Sequence, residues 1–214
     1  VALDPEARLV VSLVVGKRTA DATHALIRDV RRRTGGRLMR LMTSDEYPDA
    51  IRAAYGATVT PPRTGRPGRP RKAYPTLPPD LTDATVHKTR EAGRVVDVTT
   101  RVVFGTARAV VLALLASAVS RVVNTCFVER HNGTDRNRSS RKVREGRTLS
   151  KDWDAHRAAT QFGYFGDNFC GPVWALRVKE DGRWRPRTPA MAAGRTDHVW
   201  PRSEWLAYPA VQRK

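Results

Sequence analysis

The sequence predicts an α/β protein, and two observations carry that prediction. β-Branched runs such as "RLVVSLVVG" and "RVVDVTTRVVFG" alternate with stretches whose apolar residues recur at helical spacing. The helical stretches also come with capping and stop residues of their own. With 214 residues the chain can form one domain, or one domain with an insertion, and can bury a sizeable core.

Val1–Gly36 reads as strand, strand, helix. "VALD" ends at a turn opened by Asp4 and Pro5, and "RLVVSLVVG" runs to Gly16. Thr19 is placed to cap a helix whose apolar positions are Ala22, Ala25, Leu26 and Val30. Asp21 stands in its first turn, Arg31–Arg33 in its last, and Gly35 or Gly36 stops it, all matching the helix dipole. "RLMRLMTSDEY" reads as a strand ending at Ser44-Asp45, and Pro48 starts a short helix, Asp49–Tyr55, closed by Gly56. Half of the 14 prolines lie between Pro61 and Pro79, a linker or extended arm. Thr82–Gly105 reads as a hairpin turning at Glu91-Ala92-Gly93, and Ala107–Ser117 as a short apolar helix. Asn124 or Thr125 caps a helix from near Cys126, and Ser150 caps another through "KDWDAHRAATQFGYFGDNF". His156 and the aromatics Trp153, Phe162, Tyr164 and Phe165 are assigned to the core. The tail reads as a loop and one short helix.

The formal net charge of +18 speaks to partners rather than to fold. Release of counterions from phosphates favours nucleic acid as the partner, and an anionic membrane surface is the alternative. The membrane reading is the weaker one, because the longest apolar run, Ala109–Val119, is too short to cross a bilayer. Cys126 and Cys170 stand far apart with no CxxC or Cys/His spacing, so neither a disulfide framework nor a zinc site is expected, and a reducing cytoplasm is. No aromatic-rich strand stands out as a stacking platform for RNA bases.

Two basic stretches carry the expected phosphate contacts. In the arm, "GRPGRPRK" (Gly65–Lys72) supplies Arg66, Arg69, Arg71 and Lys72, and resembles the AT-hook, whose Gly-Arg-Pro core lies in the minor groove of A·T-rich DNA. Pro67 stands where that motif carries an arginine before its second Gly-Arg-Pro. The second stretch, "CFVERHNGTDRNRSSRK" and its continuation, offers Arg130, His131, Asn132, Arg136, Arg138, Arg141, Lys142 and Arg144 behind one acid, Glu129. A carboxylate at the head of such a run suits a protein that cuts nucleic acid better than one that only binds it. In an open α/β sheet the working residues sit at strand ends and on adjacent helices, which singles out Asp45 with Glu129. Carboxylates brought together repel unless a cation lies between them, and Mg²⁺ or Mn²⁺ suits carboxylate, water and phosphate oxygens. Two such ions stabilise the attacking and leaving oxygens of a displacement at phosphorus. The residues leave a plainer reading open: Asp45 caps the next helix, and Glu129 balances its arginine neighbours.

"LVVGKRT", "TSDEYPDAI", "TVHKTREAGRVVDV", "NTCFVERHNGTDRNRSSRKVR", "SKDWDAHRAAT", "NFCGPVWALR" and "TPAMAAGRTDHVW" together resemble transposases of the insertion-sequence-one type. The likeness covers nearly the whole chain and is most specific over Thr43–Tyr47 and Asn124–Arg138. It implies a ribonuclease-H-like core with an Asp-Asp-Glu metal site that cuts transposon ends and joins the 3′-hydroxyl to target DNA using Mg²⁺. Asp45 then matches the second acid and Glu129 the third, with Arg130, His131 and Asn132 as the latter's context. It further implies a prokaryotic, nucleoid-associated location.

The family's first acid, in an Asp-Glu-x-Trp context, and its end-binding region have no counterpart in this sequence. The expectation is therefore a core lacking its first strand, prone to self-association through exposed edges, and an inactive fragment or one half of a fused product. Gly163, Gly166 and Gly171, where relatives are bulky, are read as loosening their helix. Residues 1–56 are assigned to the first part of the core, 57–106 to an inserted basic arm and hairpin, 107–177 to the rest of the core, and 178–214 to a C-terminal tail. The rival expectation is a non-catalytic basic DNA-binding protein whose binding ignores Asp45 and Glu129.

Overall fold

The computed structural model describes residues 1–44, 47–62, 72–142, 148 and 150–208. The protein is mixed α/β with small sheets, and its described residues divide into two compact units, Gly16–Thr125 and Val1–Val15 with Cys126–Lys214.

In the Gly16–Thr125 unit, helix α1 (Ala20–Arg33) starts where Thr19 Oγ1 accepts from the Ala22 N–H. It ends at Thr34, followed by Gly35 and Gly36 at φ 62° and 77°, a left-handed exit that suits glycine. Strand β3 (Met42–Ser44) is shorter than its apolar run suggests, and α2 (Pro48–Tyr55) opens on its proline. The arm is flanked by two strands missed in the sequence, β4 (Ala57–Val59) and β5 (Tyr74–Thr76), paired antiparallel. Strands β6 (Asp83–Glu91) and β7 (Arg94–Phe104) form the expected hairpin. The hairpin also joins β3, with which β6 pairs in parallel, in the sheet order β3-β6-β7. Helix α3 (Ala107–Ala116) follows, capped by Thr106. The core of this unit joins Ile51, Ala54 and Tyr55 of α2 to Leu81 and Phe104.

The other unit begins with the antiparallel pair β1 (Ala2–Asp4) and β2 (Leu9–Ser12). Asp4 is a turn residue, as expected: its Oδ1 accepts from the Glu6 and Ala7 N–H groups. Helices α4 (Cys126–Arg138) and α5 (Trp153–Cys170) are the long elements of this unit. Val10, Leu13 and Tyr164 form its core, with Leu3 and Phe165 packed against them. Asn168 of α5 clamps the β2 backbone, accepting from Val10 N–H and donating to Val10 C=O, each at 2.9 Å.

The structure corrects three expectations about this unit. Asp152, not Ser150, caps α5, its Oδ1 accepting from Ala155 N–H at 2.7 Å; a carboxylate serves better there because it also meets the positive end of the helix. Trp153 and Phe162 are exposed rather than core, since α5 turns Thr160, Tyr164 and Asn168 inward instead. The tail holds more than one helix: a hairpin of β8 (Val178–Glu180) and β9 (Arg183–Arg185) precedes α6 (Pro189–Ala192) and α7 (Arg202–Ala207).

The α5 glycines also differ from a loosened helix. Gly166 is buried, and a Cβ there would lie 3.1 Å from Trp205 Nε1 of α7, so the glycine admits the indole. Gly163 has open space around its Cα. Gly163→Ala should therefore stabilise the protein by about 0.5–1 kcal/mol, the usual helix gain. Gly166→Ala should show no such gain. Urea unfolding of both variants checks this, and equal gains would show that Trp205 does not constrain Gly166.

Candidate nucleic-acid interface

α4 has weak apolar patterning and no fully buried residue, so its seating depends on specific contacts along one side. Phe127, His131, Asp135 and Arg138 recur at spacings of three or four and share that side. The Arg8 guanidinium lies 4.2 Å from the Phe127 ring centroid. The His131 ring meets Tyr164 of α5 edge-on at 4.8 Å, and the Tyr164 hydroxyl donates to Asn132 Oδ1 at 3.3 Å. Arg138 Nη1 reaches Asp167 Oδ2 of α5 at 2.8 Å. A short 3₁₀ turn, Ser140–Lys142, then brings Lys142 Nζ to 2.8 Å from both Asp135 carboxylate oxygens and 4.8 Å from the Tyr164 ring centroid.

This packing has electrostatic consequences. Burial pushes the His131 imidazole below its ordinary pKa, more than the Asp135 and Asp167 carboxylates raise it, so it favours the neutral form. Burial, helped by the Asp135 carboxylate, pushes the Tyr164 hydroxyl well above its ordinary value. At the other end of α4, burial pushes Arg8 down, and the Arg130 guanidinium adds to that shift.

The predicted contact residues thus fall into three groups. His131, Asn132, Arg138 and Lys142 are engaged with α5 or with the turn after α4, because only cross-helix contacts can seat so weakly patterned a helix. Arg130, Arg136 and Arg141 are exposed, and Glu129 is exposed on the same face as Arg136, two turns away. Lys72, in the other unit, is exposed just before β5. Asp45, Arg66, Arg69, Arg71 and Arg144 lie outside the described residues.

Two residues of interest were missed in the sequence. Arg8 sits in the β1–β2 turn at φ 56°, beside α4, and nothing local marks it as part of a basic cluster. Asp83, in the Gly16–Thr125 unit, is fully buried at the start of β6, with both carboxylate oxygens 3.3 Å from Ser44 Oγ of β3. Burial raises its pKa to about 6, against the opposing hydrogen bond from Ser44. A buried carboxyl group that titrates near neutrality is unusual, and its only local signal was an acid opening an apolar strand.

Among the described residues no three His, Cys, Asp or Glu side chains group so as to hold a metal ion, and no helix is long and apolar enough to cross a membrane. Glu129 alone of the predicted ligand pair is described. Comparisons with protein families, with characterised proteins and with solved structures return no match to this chain.

Proposed function

We propose that this chain binds DNA through the outer side of α4 as part of a transposase of the insertion-sequence-one type. One observation carries the binding reading: α4 spends one side on seating against α5 and leaves Arg130, Arg136 and the following Arg141 facing solvent. A helix arranged in this way offers cations to a phosphate backbone without losing its seat. Arg8, its guanidinium over the Phe127 ring, adds a further cation at the start of α4. The excess of 39 Lys and Arg over 21 Asp and Glu makes the chain attract polyanions at long range.

The catalytic part of the proposal, a ribonuclease-H-like core with Asp45 and Glu129 as ligands of Mg²⁺ or Mn²⁺, rests on the sequence resemblance. The described residues do not assemble a metal-ligand set, so no reaction step is derived from the geometry. Self-association belongs to the same proposal. It is supported by Val111, Leu112 and Leu115 exposed on α3 and by Val95, Val96 and Val98 exposed on the far half of β7.

Two measurements separate the parts. The triple variant Arg130→Ala, Arg136→Ala, Arg141→Ala should flatten the slope of log K against log salt for duplex DNA by about 3. An unchanged slope would place the contact elsewhere. Nicking of supercoiled plasmid in Mn²⁺ that is lost in both Asp45→Ala and Glu129→Ala would show a working metal site in which another group replaces the missing first acid. Binding that is tight and salt-sensitive in all variants, with no nicking by the parent chain, would leave only a DNA-binding protein.

A further inference from the structure

The hairpin of β8 and β9 carries an aromatic and basic cluster separate from α4. Its turn is Asp181-Gly182, at φ 49° and 79°, the two-residue type in which both positions need positive φ. The register sets Lys179 directly opposite Trp184, so the two share a face, while Glu180 and Arg183 pair on the other. At the base of the hairpin, Val173 N–H donates to Arg187 C=O at 3.0 Å and ties entry to exit. Arg177 completes the cluster, its guanidinium carbon 3.5 Å from the Trp174 ring centroid and 4.1 Å from that of Trp184.

One cation thus braces two indoles, yet most of each indole remains in water: Trp174 is 77% exposed and Trp184 56%. Trp200 and Trp205 of the same unit instead pack on Phe169, with ring centroids 4.7 and 5.6 Å away. Exposed indoles held in fixed positions offer flat π faces at little further cost in side-chain order. Their surroundings are basic, since residues 177–187 hold five Lys and Arg against Glu180 and Asp181. Flat faces beside cations match a strand whose bases are unpaired and whose backbone is anionic.

We propose that Trp174 and Trp184 form a stacking platform for unpaired bases of single-stranded DNA, with Arg177 and Lys179 beside its phosphates. The inference rests on the nucleic-acid part of the reading above but requires neither metal nor α4. It also supplies the aromatic platform that the sequence did not reveal.

The test compares a labelled oligothymidylate with an abasic oligonucleotide of equal length and charge, by fluorescence anisotropy in EDTA. The parent chain should bind the oligothymidylate about 10-fold more tightly, the scale of one or two stacked bases. The double variant Trp174→Ala, Trp184→Ala should bind both strands equally, at the abasic level, with unchanged duplex binding. The double variant Trp174→Phe, Trp184→Phe keeps a π face and should retain a preference for thymine, which guards against misfolding as the cause. Equal binding of the two strands by the parent chain, or a preference that survives both alanines, overturns the platform. A thymine preference without duplex binding counts for the platform and against the α4 interface.

Discussion

Asn168→Ala should destabilise the unit built on α4 and α5 by about 3–5 kcal/mol. The side chain is nearly fully buried and satisfies both the N–H and the C=O of Val10, itself in the core. Alanine leaves that backbone donor and acceptor sealed from water without partners, and each such loss costs about 1–3 kcal/mol. Asn168→Asp sharpens the expectation. An ionised carboxylate can accept from Val10 N–H but faces Val10 C=O with like polarity, and it is desolvated. Protonated, it can both accept and donate. Its folded pKa should therefore rise, so that stability is present below the unfolded pKa and lost as pH rises through the folded one. Urea unfolding followed by tryptophan fluorescence, at acid and neutral pH, checks both variants. A loss below about 1 kcal/mol for alanine would show that the clamp adds little beyond ordinary hydrogen bonding.

The second large effect is a pH dependence seated in Asp83. Its pKa is raised from 3.8 to about 6 because the carboxyl is buried and Ser44 is the hydrogen-bond partner that opposes the shift. The folded state therefore holds this proton more tightly than the unfolded chain, and stability falls as pH rises between the two values. The full loss amounts to about 3 kcal/mol, nearly complete by pH 7. Asp83→Asn removes the titration and should flatten stability over this window relative to the parent chain. Parallel pH profiles for the two proteins would mean that Asp83 is ionised in the folded state at no cost.

How much was legible depended on the reach of each interaction. Thr19 as a cap, Pro48 as a helix start, Gly35 and Gly36 as a stop, and Asp4 as a turn residue were all readable. Each acts on backbone groups within a few residues of itself. The α/β class and the long hairpin were readable for the same reason, since periodicity is a local pattern. The α5 cap was misassigned because Ser150 and Asp152 both qualify locally, and the point where the chain turns into the helix selects between them. The short β8–β9 hairpin had its Asp181-Gly182 signal, but three-residue strands carry too little alternation to stand out.

The sequence by itself determined the α/β class, the type of the longer elements, both ends of α1 and α2, the large positive charge, and the identity of the basic stretch behind Glu129. Tertiary structure alone decided which of those cations face water. Whether Lys142 meets a phosphate or Asp135, and whether Arg138 meets solvent or Asp167, depends on how α4 and the turn after it seat against α5. The same holds for Asp83, enclosed by a strand 39 residues earlier, and for Gly166, whose meaning comes from the indole of α7. Burial is a property of what packs from elsewhere in the chain, and a linear pattern records only what a residue is able to do when packing arrives.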